Sequence, residues 1–368
     1  MDAAGRTPRL AVTYDGGVQV IDAEKGEKVA DFPLEGFTRL NEAGNGRHLL
    51  VTEGDHFKVL DMGVWSHAHG DHYHSRKTEP LLTDMTFQGS HPGHAVHHGG
   101  RTALFYDGEG RVEWFEPSGL SVEKPQTHEV KLPQAHHGVA VFRDDDSLVH
   151  TLGDEKARST VAIQDANGKK VTEFTKCPGV HGEATAKDGV ISIGCEDGIL
   201  IIKGNRINKV KAPDAYGRIG NQAGSEKSTV VLGDYKVDKK AELERPTRIT
   251  LTDTATGTLK LVDVKASYSF RSLGRGVEGE ALVLGTDGRL RVINPKSGKI
   301  TAQIPVTRPW TEPTQWQQPR PTLFVQEDQV WVSEPAHKRL HRVDLAAGTV
   351  SRTITLDRVP NELIGVRG

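Results

Sequence analysis

Apolar residues along the chain come in short runs, without helical spacing. Runs such as Leu10-Ala-Val-Thr-Tyr14 and Val190-Ile-Ser-Ile193 end in Asp-Gly or an equivalent turn. Brief strands broken by tight turns predict an all-β chain. The turn after the second strand of each unit carries an acid, at Asp15, Glu53, Asp107, Asp154, Glu196, Asp234, Asp287 and Glu334, about 46 residues apart on average. After most of them another strand runs into a second polar turn: Val18 to Asp22 before Lys25-Gly26, Arg291 to Asn294 before Ser297-Gly298, His341 to Asp344 before Ala347-Gly348. A period of about 40 to 50 residues holding several short strands is the pattern of propeller blades. The expected fold is an all-β β-propeller of eight blades; the fifth and sixth units are hard to delimit, which leaves seven open.

The first unit starts directly at Leu10 and lacks an innermost strand, which Asn361 to Val366 would supply. A ring closed by strands from the N- and C-termini leaves no exposed sheet edge. The 368 residues then read as a single β-propeller domain, 1–368, with a histidine-rich insertion loop at about 64–80.

Charge narrows the partners. Lys and Arg total 47 against 49 Asp and Glu, scattered without blocks, so no basic stripe for nucleic acid appears. No run reaches the roughly 18 apolar residues of a membrane span, and a monomer is expected. The start, Met1-Asp-Ala-Ala-Gly5, lacks the regions of a signal peptide, leaving a cytoplasmic protein or an exported one whose signal has been removed. Cys177 and Cys195 flank a hairpin that turns at Lys187-Asp188-Gly189, near their midpoint. Residues equidistant from a tight turn face each other, close enough for a disulfide, which persists only in an oxidising compartment. That favours an extracytoplasmic, for example periplasmic, location; two free core thiols are the alternative.

The insertion contains Trp65-Ser-His67-Ala-His69-Gly-Asp71-His72-Tyr-His74, and eight of the 17 histidines lie between His67 and His98. Neutral imidazole is the commonest protein metal ligand. Alternation at His67, His69, Asp71 or His72, and His74 could aim several donors at one ion; a solvated polar loop is the plain alternative.

Aligned units place a second group. The innermost strands of the third, fourth and fifth begin at His94, His137 and His181, eight to ten positions before the following strand, whereas the second, sixth and seventh carry Arg39, Arg218 and Arg271 nearby. Equivalent positions on adjacent blades converge, so three imidazoles would meet off-centre, with the insertion close enough to cover them. Three imidazoles and one further donor suit tetrahedral zinc. Glu183 is the nearest carboxylate, at a frame position held by Val96 and Val139 in neighbouring units. His91, His97, His98 and His136 are placed to orient ligands, and His98 is also a candidate ligand. Histidines simply bonded to backbone remain the alternative, and imidazole suits copper and nickel too.

Two chemistries compete for these residues. His67-Ala-His69-Gly-Asp71-His72 matches the H-x-H-x-D-H pattern of metallo-β-lactamase-type hydrolases, and Gly89-Ser-His91-Pro-Gly-His94 resembles a later ligand segment of that family. There the metal would activate water. That fold needs long flanking helices, however, and the two segments here are only about twenty residues apart. The propeller repeat, the Trp65 to His74 insertion, His91-Pro-Gly-His94, Ala135-His-His-Gly138 and Cys177-Pro-Gly-Val-His-Gly-Glu183 together resemble the AztD-like zinc metallochaperones. The resemblance covers most of the chain. It implies a protein, not an enzyme, that holds zinc outside the cytoplasmic membrane and delivers it to the solute-binding protein of a zinc ABC importer. One departure is that Met1 to Arg9 has no histidine, where family members can carry a histidine- and acid-rich tail. A propeller interaction module with a structural metal is the third reading.

Overall fold

A computed structural model describes residues 2–3, 6–69, 72–121 and 123–368, with 2–3, 68–69 and 72–73 as backbone only. The repeat resolves into eight blades, each built on four neighbouring strands that, in all but the first, follow in sequence order. The first consists of Leu363–Val366, Arg9–Tyr14, Gly17–Asp22 and Lys28–Pro33; the others span 40–88, 92–131, 140–174, 181–211, 222–263, 273–305 and 323–355. The fold is an eight-bladed β-propeller, which settles the blade count. Helix among the described residues is limited to three short 3-10 turns.

Burial explains the hydrophobic pattern. Second strands, such as Val190–Cys195 and Val230–Asp234, are buried along their whole length and therefore read as continuous apolar runs. Outermost strands such as Thr349–Thr355 have one face in water and alternate.

Contacts divide the chain into two compact units. The first comprises Met1–Asp146, Pro335–Arg339 and Ile354–Gly368. One of its cores packs Ala11, Val20, Leu49, Leu60 and Val366; another packs Phe57, Phe87, Leu104 and Phe115, with the Phe87 and Phe115 rings stacked at 4.6 Å. As expected, the C-terminal strand completes the first blade: Arg9 stands opposite Val366 and Val12 opposite Leu363. Glu362 then accepts hydrogen bonds from Arg39 Nε at 3.2 Å and the Leu40 amide at 2.9 Å, linking the closing segment to blade two.

The second unit comprises Ser147–Glu334 and Leu340–Thr353. Its cores gather Leu282, Leu290 and Val332, then Ile249, Tyr268 and Val283, then Ala186, Ile199 and Tyr235. Cys177 and Cys195 form a disulfide and are fully buried. The route to it differs from simple opposition across a hairpin. Strands His181–Ala186 and Val190–Cys195 pair with His181 opposite Gly194, so Cys177 lies beyond the ladder. The turn at Pro178-Gly179 brings it back, and the Pro178 carbonyl accepts the Glu196 amide at 2.7 Å.

The insertion is a β-hairpin, not an irregular loop. Val64–His69 pairs with His72–Lys77, placing His67 opposite His74, and Asp2–Ala3 adds a third strand. Buried Arg9 fastens its root, donating from Nη1 to the carbonyls of Met62 at 2.6 Å and Thr78 at 2.8 Å. The Arg47 guanidinium lies 4.0 Å from the Trp65 ring centroid.

Candidate metal centre

His94, His137 and His181 each offer one ring nitrogen, and these atoms all lie within 4.8 Å of one another. Among the described residues they are the group of three or more His, Cys, Asp or Glu close enough to hold one ion. All three are partly buried. His94 Nε2 and His137 Nε2 are 3.4 Å apart, with the rings tilted by 50°. A tetrahedral zinc with Zn–N bonds of about 2.0–2.1 Å sets neighbouring nitrogens about 3.4 Å apart, so this donor pair already has the spacing of a ligand edge.

Two of the rings are oriented from behind. His137 Nδ1 lies 2.6 Å from Asp107 Oδ2, and the other carboxylate oxygen accepts the Gly138 amide at 3.3 Å. His181 Nδ1 lies 2.8 Å from the Gly220 carbonyl. A neutral imidazole that donates from Nδ1 presents a lone pair at Nε2. Carboxylate or carbonyl support of this kind holds ligand rings in metal sites.

Small residues permit these approaches. A Cβ at position 93 would lie 2.4 Å from Asp107 Oδ1. One at 182 would lie 2.1 Å from the Gly220 carbonyl oxygen, and Gly182 has a φ of +70°, in the left-handed region that favours glycine.

The other sequence candidates are placed elsewhere. Glu183 is not among the residues whose ligand atoms meet. The register shifts between His181 and Glu183, and this bulge at Gly182 breaks the alternation that would put both side chains on one face. His98 stands at the far end of the strand Pro92–His98 and points Nδ1 at the Phe142 carbonyl, 2.6 Å away. His136 is buried edge-on to Phe105, with Nδ1 3.1 Å from the Gln134 carbonyl. His97 Nδ1 lies 3.4 Å from Thr102 Oγ1, and burial holds its pKa below the usual range. His91 has a φ of +51° and takes Asp55 Oδ1 on its amide at 3.2 Å.

In the insertion, His67 Nε2 accepts the Trp65 indole N–H at 3.1 Å. His67 and His74 are exposed. Asp71 and the side chains of His69 and His72 lie outside the described residues.

The hairpin does not spring from the edge where His94 sits. It leaves blade two at the end of strand His56–Asp61, where the Met62 amide donates to the Arg47 carbonyl. The segment leading to His94 is tied to the start of that strand, through Gly89 and His91 on Asp55. Six strand residues, roughly 17 Å, separate the two ends. The insertion and the segment leading to His94 thus leave blade two at different ends of the strand His56–Asp61.

Asp107 is the functional candidate that motif reading overlooked. It is the turn acid of the third repeat, and only the fold shows it beside His137, which leads into the next blade.

No family model matches the chain. It is similar to the zinc chaperone AztD of Citrobacter koseri, with 27% identity over 363 residues, covering 95% of this chain and 84% of the relative. The crystal structure of Citrobacter koseri AztD matches with a TM-score of 0.84 and 26% identity, covering 99% of this chain and 98% of that one. The structure of apo AztD from the same organism matches with a TM-score of 0.82 and 25% identity, covering 98% of each chain. The chain is thus AztD-like along nearly its whole length. A zinc chaperone is not an enzyme, and a propeller lacks the helix-flanked sheets that the hydrolase motif requires.

Proposed function

We propose that this chain is a zinc metallochaperone that holds zinc on His94, His137 and His181 and delivers it to the solute-binding protein of a zinc ABC importer outside the cytoplasmic membrane. The observation that carries the reading is the meeting of three ring nitrogens within 4.8 Å. The likeness to a zinc chaperone over 95% of the chain supports zinc as the cargo. Zinc takes imidazole readily, and a water or carboxylate would complete four-coordination. Such a site suits release, because neutral imidazoles leave one at a time. The buried Cys177–Cys195 disulfide fits an oxidising compartment.

Metal analysis after replacing His94, His137 and His181 together by Ala tests the site. Loss of one tightly held zinc per chain is expected; unchanged stoichiometry rejects the assignment. For delivery, zinc-loaded protein is mixed with the cognate solute-binding protein and the two are separated by size exclusion. Zinc should move to the acceptor, and zinc remaining wholly on the propeller rejects delivery.

A further inference from the structure

In blade six the acid at the end of the second strand is Asp234, 1% exposed. Its Oδ1 accepts the amides of Gly220 at 2.6 Å and Asn221 at 3.0 Å, and its Oδ2 accepts the Asn221 side-chain amide at 3.0 Å. The Asn221 N–H and the Gly220 carbonyl belong to one peptide group. That carbonyl lies 2.8 Å from His181 Nδ1. A buried carboxylate, one peptide and an imidazole are therefore joined in series.

We propose that Asp234 is a positioning residue for His181, acting through the Gly220–Asn221 peptide to aim the ring, keep its proton on Nδ1 and strengthen Nε2 as a donor to the metal. This rests on the reading of His181 as a zinc ligand.

A carboxylate accepting the peptide N–H polarises that peptide, so its carbonyl accepts more strongly at the other end. The bonds to Gly220 and Asn221 hold the carbonyl in one orientation, and Gly182 leaves it room, since any Cβ there would lie 2.1 Å from the oxygen. His137 receives the same support directly from Asp107. His181 has a carbonyl in that place, with the carboxylate one peptide further back. The repeating turn acid thus serves two ligands by two routes.

The test combines three variants with one spectrum. Asp234→Asn keeps the shape and removes the charge; zinc affinity should fall roughly tenfold, as for outer partners of metal ligands. Asn221→Ala removes only the side-chain bond and should leave affinity near that of the unsubstituted protein. In a His181→Ala background, Asp234→Asn should have no further effect. Nitrogen NMR of the unsubstituted protein should show the His181 proton on Nδ1, which needs no variant to fold. Unchanged affinity in Asp234→Asn, an equal loss in Asn221→Ala, an additive loss in the His181→Ala background, or a proton on Nε2 would each overturn the inference. If His181→Ala itself leaves zinc binding intact, the metal-site reading fails instead.

Discussion

His137 and Asp107, thirty positions apart, meet with imidazole Nδ1 and carboxylate Oδ2 separated by 2.6 Å. On the proposed reading of His137 as a zinc ligand, the contact makes Asp107 a positioning residue that does not itself ligate. Asp107→Asn should lower zinc affinity about 10–100-fold, the usual effect of losing such a partner, with His137 still in place. Competition against a chromophoric chelator measures it, and an unchanged affinity would refute the role.

Gly93→Ala should act through the same contact. The added methyl would lie 2.4 Å from Asp107 Oδ1, so the carboxylate must move away from His137. A weaker zinc site in a protein whose circular dichroism is unchanged is the expected outcome. Adding Gly93→Ala to Asp107→Asn should cost little more, because both disturb one contact.

Removing the insertion histidines tests the separation of the two groups. Replacing His67, His69, His72 and His74 by Ala should reduce weak, additional zinc binding and leave the tight ion in place, since the hairpin is rooted at the opposite edge of blade two from the segment leading to His94. Loss of the tight ion in equilibrium dialysis would show that the two groups share it.

Stability should fall in mild acid because of His48. Burial lowers its pKa from 6.5 to about 4, with Asp61 opposing and Arg47 adding to the shift. Its ring is 3% exposed. Above the unfolded pKa of about 6.5 the ring is neutral in both states and the full stability is present. As pH falls below that, the unfolded chain takes up a proton the folded one resists, so stability drops until the folded pKa near 4. The loss should total roughly 3 kcal/mol. Urea denaturation from pH 7 to 4 should show a shallower decline in His48→Gln, and parallel curves would reject the assignment.

The disulfide should matter to stability more than to zinc. Cys177→Ala with Cys195→Ala frees a loop of 18 residues' separation and should cost about 3 kcal/mol in urea denaturation. With both cysteines fully buried, a reductant should act only as the chain unfolds. A native protein reduced rapidly below its unfolding transition would contradict this.

Much of the fold was legible in the sequence, because blade strands are stamped by burial at short range. Continuous apolar runs such as Val190–Cys195, alternating outer strands and recurring turn acids marked eight blades, and the unpaired Leu10 run pointed to closure by Leu363–Val366. The alignment of His94, His137 and His181 was also legible, since each lies at or near the start of the first strand of its unit. Tertiary structure decided what depends on local irregularity or on distance across blades. The bulge at Gly182 separates Glu183 from His181, although their spacing in the sequence suggests one face. The strand Pro92–His98 carries His98 to its far end, and the Pro178 turn delivers Cys177 to Cys195 from beyond the ladder. Asp107 and Asp234 look like the other turn acids in sequence. Which ring or peptide each grips is set by contacts many residues away, where neither period nor motif carries information.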